Sequence, residues 1–439
     1  MKTQALHIWE ILKTSFWFIP VVIVIVAVIS SMVLINIDST YQYEPEGFFS
    51  YFISEDVESA RQILSTIAGA MLNVTGIVFS ITLVALTLAS SEFGSRLLRN
   101  FMNDRLNQFV LGIYIATFIF CILILRVVKG VDGNEFIPNI SIFVAIIVSI
   151  ANIFLLIVYI HHIATSIQAD FIISDVSKNL RSSLKTLYPN QIGEENLEQS
   201  ESFLREKTDN VPVKTLVPNQ KSGYLQLING EKLLELAKEH DCVLESDHRP
   251  GDLIVKGRTL VKVHSKGTLE DEMTSKIGKA FVIGEYRTPT HDAEYSIHQL
   301  VEIIARALSS GINDPFTAIT SLDKLTANLS ELADNRFPSG YRFDDEGQLR
   351  IILNPLSFEG LINAAFNQVR QYATENPAVL IRLMESLFTI KTFTRDHTRL
   401  AVLQKHADMC MRAGEDAFSE PEDIKDLRRR YDRFLEDWV

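Results

Sequence analysis

Four apolar runs without Asp, Glu, Lys or Arg, at positions 16–37, 66–89, 109–125 and 140–161, constrain this chain more than any other feature. A helix rises 1.5 Å per residue, so each run covers most or all of a hydrocarbon core roughly 30 Å thick. The first run is too long for the apolar core of a signal peptide, and no small-x-small cleavage pattern follows it. It reads as an uncleaved anchor. Only the second run is notably polar. No Asp, Glu, Lys or Arg lies inside any of the four, which argues against a proton-coupled transporter or a voltage sensor. A passive pore lined by hydroxyls stays open.

Orientation follows from Lys and Arg in the short flanks. Lys2, Lys13, Arg96, Arg99, Arg105, Lys178, Arg181 and Lys185 fall on one side, and Arg61, Arg126 and Lys129 on the other. Eight against three places both termini and the large C-terminal part in the cytoplasm. The first outer loop is acidic, with Asp38, Glu44, Glu46, Glu55, Asp56 and Glu58 against Arg61. Such a loop either gathers cations at a pore mouth or has no task.

The 47% hydrophobic content is an average over two unlike halves: residues 16–163 are apolar, and 164–439 read as a charged soluble protein. A net charge of −12 argues against nucleic acid as a partner. The run Arg428-Arg429-Arg430 is followed by Asp432, Glu436 and Asp437 and reads as a solvated helix face. The three cysteines, Cys121, Cys242 and Cys410, have no zinc spacing and read as small buried apolar residues in a reducing compartment.

In the second run, Thr66, Asn73, Ser80, Thr87 and Gly94 recur every seven residues, with Gly69 and Gly76 beside them. On a helix this is a narrow stripe of small and polar side chains. Small residues let helices approach closely in lipid, and Ser, Thr and Asn hydrogen-bond across the contact. The stripe is therefore a packing seam or the lining of a wet axis in a symmetric oligomer. Asn73 must face a partner helix or water, because an unpaired amide in hydrocarbon is costly. Beyond it, Phe93, Leu97, Leu98 and Phe101 alternate with Arg96, Arg99 and Arg105, the pattern of an amphipathic interfacial helix. His161 and His162 close the fourth run and read as interfacial.

In the soluble half, the fourth run continues as a helix to about Leu184, and 187–222 reads as a linker. "SGYLQLI" (222–228) alternates like a strand, and "EKLLELAKEH" (231–240) has helical period. Residues 241–264 read as strand, Pro-Gly turn, short strand, Gly turn, strand. The pattern from Gly251 to Val263 resembles half of the barrel-sandwich fold of biotinyl/lipoyl domains, without the hairpin that carries the modified lysine. No cofactor is expected.

From about 267 the chain reads as helical. In 293–309, Ile297, Leu300, Val301, Ile304 and Leu308 form one face, and His298, Glu302 and Arg306 the other. Gly311 is suited to a left-handed cap, Asp314 to an N-cap, and Pro315 to the first helical position. Phe316, Ile319, Leu322, Leu325 and Leu329 continue the apolar face of the second helix. Local chemistry thus explains most of "SSGINDPFTA" as a corner between two helices. Against this stands a possible polar site: Arg287, His291, Asp292, Glu294 and His298 precede the corner, and with Glu302, Arg306, Asn313 and Asp314 they are candidates for a ligand or polar cluster. The spacing matches no HExxH, P-loop or GxSxG template, and neither a metal nor a catalytic residue is assigned. Residues 361–373 and 382–394 are further amphipathic helices of a small bundle.

The segments "NVTGIVFSITLVALTLASSEFGSRLLRNFM" (73–102), "SGYLQLIN" (222–229), "DAEYSIHQLVEIIARAL" (292–308) and "GINDPFTAI" (311–319), in this order, resemble the bacterial predicted-membrane-protein family called domain of unknown function 2254. The resemblance covers nearly the whole chain. It implies a multi-pass protein of the bacterial inner membrane with a cytoplasmic C-terminal part, and it supplies no activity. Members expected to read "SPGINDP" have Ser310 here in place of the proline.

The expected fold is thus an α-helical membrane protein with four transmembrane helices and a cytoplasmic α+β part. Its regions are a transmembrane domain at 1–163, a helical extension and linker at 164–221, a small β-rich domain at 222–266 and a helical domain at 267–439. The expected partners are the lipid bilayer and further copies of the chain. The expected function is a homo-oligomeric channel-like protein with the second run at its axis. The alternatives are a membrane-tethered ligand sensor or scaffold and, third, an uncharacterised enzyme.

Overall fold

The computed structural model describes residues 17–40, 56–94, 104–129, 136–185, 187–189, 192–195, 213–267, 270–289 and 291–436. Lys2, Lys13, most of the acidic loop (41–55), the amphipathic segment 95–103 and most of the linker (196–212) lie outside the described residues. The chain divides into two compact units, residues 1–171 and 172–439.

Among the described residues, unit 1 holds four helices long and apolar enough to cross a membrane: α1 (Phe18–Thr40), α2 (Val57–Phe93), α3 (Arg105–Val127) and α4 (Asn139–Ser166). They contain the four apolar runs nearly whole. α3 is the centre, with half of its span buried against 11–22% for the others. Gly112 sets its approach to α1: a Cβ there would fall 2.9 Å from the Pro20 Cα.

Two acidic residues flanking the outer loop have local tasks. Asp56 caps α2, its carboxylate accepting from the Ser59 N–H at 2.6 Å. Asp38, at the end of α1, is buried and caps α4, accepting from the N–H groups of Ile140 (2.9 Å) and Ser141 (3.1 Å). A carboxylate at a helix N-terminus satisfies donors that would otherwise be orphaned.

Single polar side chains hold α2, α3 and α4 together. The Tyr114 hydroxyl donates to the Asn152 carbonyl at 2.6 Å, and the Asn152 amide donates to Thr117 Oγ1 at 2.9 Å. The Tyr159 and Thr82 hydroxyls lie 2.5 Å apart above the Val78 carbonyl. At the end of α4, His162 meets Asp104, the cap of α3, at 2.5 Å, while His161 is exposed.

Unit 2 is α+β. After α5 (Ala169–Lys185) come β1 (Val213–Pro218), β2 (Gly223–Ile228), α6 (Gly230–Glu239), β3 (Val243–Ser246), β4 (Leu253–Ile254), β5 (Thr259–His264), α7 (Asp271–Lys279) and β6 (Phe281–Gly284). Then follow α8 (Ala293–Ala307), α9 (Pro315–Leu332), β7 (Tyr341–Phe343), β8 (Leu349–Leu353), α10 (Phe358–Tyr372), α11 (Pro377–Thr392), α12 (His397–Ala417) and α13 (Pro421–Glu436). The strands make a five-stranded sheet, β1-β5-β3-β8-β7, and a three-stranded sheet, β4-β2-β6. All pairings are antiparallel except β3 with β8. Leu225, Leu244, Ile254, Leu260 and Val263 of the strands share one core with Leu233 and Leu236 of α6.

The strand–turn–strand reading of 222–264 holds, and strands also lie outside it: β1 begins at Val213, and β6, β7 and β8 follow in what read as helical sequence. α8 to α13 form the helical part, with Leu300, Ile304, Leu322, Leu329, Leu380 and Leu403 fully buried. The three cysteines are buried.

Candidate functional site

The face of α2 that packs inside the subunit repeats every seven residues through Leu64, Met71, Val78 and Ala85. The polar stripe sits two residues later at each step. Two residues turn a helix by about 200°, so the stripe lies opposite the packed face. Thr66, Asn73, Ser80 and Thr87 are all exposed. A Cβ placed on Gly69 or Gly76 would meet nothing within 4 Å. Ser80 and Thr87 donate to their own helix, to the carbonyls of Gly76 and Leu83 at 2.9 Å each. Such back-bonding makes a hydroxyl tolerable in lipid. The Asn73 amide has no partner among the described residues. The seam that joins α2 to its neighbours is the other one, Thr82 with Tyr159 and Met71 with Asn152. Sequence reading missed it because its tyrosines and asparagine stand singly in apolar runs.

The polar residues before the corner separate into groups. Arg287 grips Asp292 with two hydrogen bonds of 2.7 and 2.8 Å. Asp292 is 4% exposed and also caps α8, accepting from the Tyr295 N–H at 3.0 Å. Arg287 lies over the Tyr295 ring and reaches His298 Nδ1 at 3.4 Å. Arg249, from the turn before β4, pairs with Glu294 at 2.7 Å. Gly251 completes the knot: its φ is +102°, and a Cβ would fall 2.5 Å from Asp292 Oδ2. Nothing in the sequence tied Arg249 and Gly251 to this cluster, because they arrive from some 40 residues upstream.

The other candidates lie elsewhere. His291 borders a separate cleft of about 260 Å³ with Leu187, Asn229 and Glu231, and burial holds its imidazole below the ordinary value. Arg306 pairs with Glu302, one turn back on the same helix, at 3.7 Å. Asn313 and Asp314 stand beyond the far end of α8, whose 15 residues make it about 22 Å long. Among the described residues no group of three His, Cys, Asp or Glu is arranged to hold a metal.

The corner is built from caps. Asp314 Oδ1 accepts from the N–H groups of Phe316 and Thr317 at 3.1 Å each, and Oδ2 from the Thr317 hydroxyl at 2.6 Å. The Thr317 hydroxyl and these amides hold the Asp314 carboxyl below the usual carboxylate range. Two expectations are corrected. The left-handed residue is Asn313, with φ +48°, rather than Gly311; asparagine is among the few side chains that accept this region. Phe316 is 81% exposed rather than in the core, because it lies in the first turn of α9 at the corner's outer edge.

The family of predicted membrane proteins called domain of unknown function 2254 matches residues 13–389. The chain belongs to this family. An uncharacterised protein of Mycobacterium bovis is 32% identical to this family member over 369 residues, covering 83% of this chain and 70% of its own. An uncharacterised protein of Mycobacterium tuberculosis strain H37Rv shares the same identity and coverage. A third, from strain CDC 1551, is 31% identical over 369 residues. No solved structure matches the chain.

Proposed function

We propose that this protein is a homo-oligomeric, channel-like membrane protein in which copies of α2 meet along the stripe Thr66, Asn73, Ser80 and Thr87. One observation carries the reading: among the described residues the stripe faces away from every other helix of its own subunit, and Asn73 there has no partner. An amide in that position needs water or another chain. The Lys and Arg asymmetry of the flanks supports cytoplasmic termini and a cytoplasmic unit 2 in a bacterial inner membrane. The Gly251–Val263 pattern, likened above to half a barrel-sandwich, falls on β4, the Gly257 turn and β5, which belong to different sheets.

Single-channel recording of the purified protein in planar bilayers, with Ser80→Leu as control, tests the reading. The expected result is a conductance that Ser80→Leu abolishes in a folded protein. Silence across voltage, tension and pH makes the stripe a packing surface only.

A second reading, a membrane-tethered sensor, is favoured by a cleft of about 520 Å³ in unit 2. There the Arg399 guanidinium lies over the rings of Phe337 (5.0 Å) and Phe358 (5.6 Å), beside Arg336 and Asp396. The proposed ligand corner of Arg306, Asn313 and Asp314 has no comparable support.

A further inference from the structure

Two turns of unit 2 lie side by side. The turn between β1 and β2 is joined to the turn between β4 and β5 by three hydrogen bonds. The Asn219 N–H donates to the Arg258 carbonyl at 2.8 Å, the Gly257 N–H to the Asn219 carbonyl at 2.9 Å, and the Lys256 N–H to Ser222 Oγ at 3.0 Å. Gly257 has φ +84°, and a Cβ there would meet nothing within 4 Å, so the tip faces open space.

This twin turn carries Lys221, Lys256 and Arg258, all exposed. The carboxylates of the adjoining strand and turn are already engaged: Glu245 and Asp247 each hold Lys262 at 2.9 Å, and Asp252 accepts from the Arg249 N–H. The three cations therefore have no carboxylate partner among the described residues. Beside them, Leu253 and Val255 are 60% and 47% exposed, on and just after the edge strand β4. In a chain of net charge −12, three unpaired cations around two exposed aliphatic side chains are a local exception.

We propose that this twin turn docks on the anionic lipid surface of the membrane that holds the chain's own spans. Headgroup phosphates take the three cations, and Leu253 and Val255 enter the boundary between headgroups and acyl chains. Charge complementarity selects an anionic surface, and the four spans keep a bilayer within reach at high effective concentration. The inference rests on unit 2 standing in water beside the bilayer. It does not depend on the pore reading, on the subunit number or on which side unit 2 faces.

The test uses the full chain in nanodiscs, with an environment-sensitive fluorophore on Val255→Cys. The three native cysteines are buried, so labelling is selective. In nanodiscs containing phosphatidylglycerol, the expected emission is blue-shifted and shielded from an aqueous quencher. It returns to the aqueous value in pure phosphatidylcholine, at about 0.5 M salt, or in the triple variant Lys221→Glu, Lys256→Glu, Arg258→Glu. A label at Leu253→Cys repeats the measurement if the first position perturbs the turn. Aqueous emission at both positions in every lipid overturns the proposal. So does shielding that persists in phosphatidylcholine and in the triple variant, which would mark a protein–protein contact.

Discussion

The outer face of α2 and the knot at the start of α8 are the two polar regions that the sequence singles out, and they differ in how far they satisfy themselves. In the knot, Arg287, Asp292, Arg249 and Glu294 pair with one another, and Asp292 caps a helix as well. On α2, the Ser80 and Thr87 hydroxyls fall back on their own backbone, and Asn73 has no partner among the described residues. A polar cluster that closes on itself is architecture. The open stripe on α2 is where the proposed contact with water or another chain would fall.

The contrast breaks most easily at the knot. Asp292→Ala removes the cap and leaves Arg287 half-buried without its carboxylate. Losing one partner of a buried pair costs about 3–5 kcal/mol. Thermal unfolding of the detergent-purified protein should show the largest drop of any single variant here, and a change within error would mean the knot is not structural.

A second closed polar contact responds to pH. His406 is 1% exposed between α10 and α12, where Nε2 donates to Asn363 Oδ1 at 2.9 Å. Burial, aided by Lys405 and Arg370, pushes its pKa down to about 4. A folded-state value below the unfolded 6.5 means stability is intact above pH 6.5 and falls as pH drops toward 4, by about 3 kcal/mol in all. Melting curves of His406→Gln should lose most of this slope. An equal slope in the variant would assign it to other groups.

Smaller effects sharpen the comparison inside unit 1. Asn73→Leu should weaken self-association by about 1–2 kcal/mol, five- to thirtyfold, and leave melting unchanged. Energy transfer between labelled subunits in liposomes reads this directly. Tyr159→Phe should do the reverse, lowering stability by about 1 kcal/mol without touching association. If both variants act alike, the two faces of α2 are not functionally distinct.

Sequence reading reached what is periodic and missed what is brought together from afar. The buried face of α8 was legible because Leu300 and Ile304 repeat at the helix period, and β2 from its alternating sequence, although a bulge between Leu225 and Leu227 leaves Leu225 and Ile228 as its buried residues. β7 and β8 were not, since the parallel pairing of Leu244 with Ile351 joins residues over a hundred positions apart. Periodicity also gives a direction and not a depth, which is why Phe316 continues an apolar pattern and yet stands in solvent. The stripe on α2 was legible as a stripe. Which side of the helix the subunit keeps for itself was set by Leu64, Met71, Val78 and Ala85, as apolar as their neighbours.

The 37 residues of α2 make a rod of about 55 Å, against roughly 30 Å of hydrocarbon. Its uncharged stretch, 66–89, is about 36 Å long, so it fits the core by leaning. The lean increases when the membrane thins and decreases when it thickens. If copies meet along Asn73 and Ser80 as proposed, they then cross at an angle set by the lipid. In the proposed assembly, bilayer thickness would thereby become a mechanical input, felt at mid-membrane and carried outward by the overhanging ends of a stiff lever.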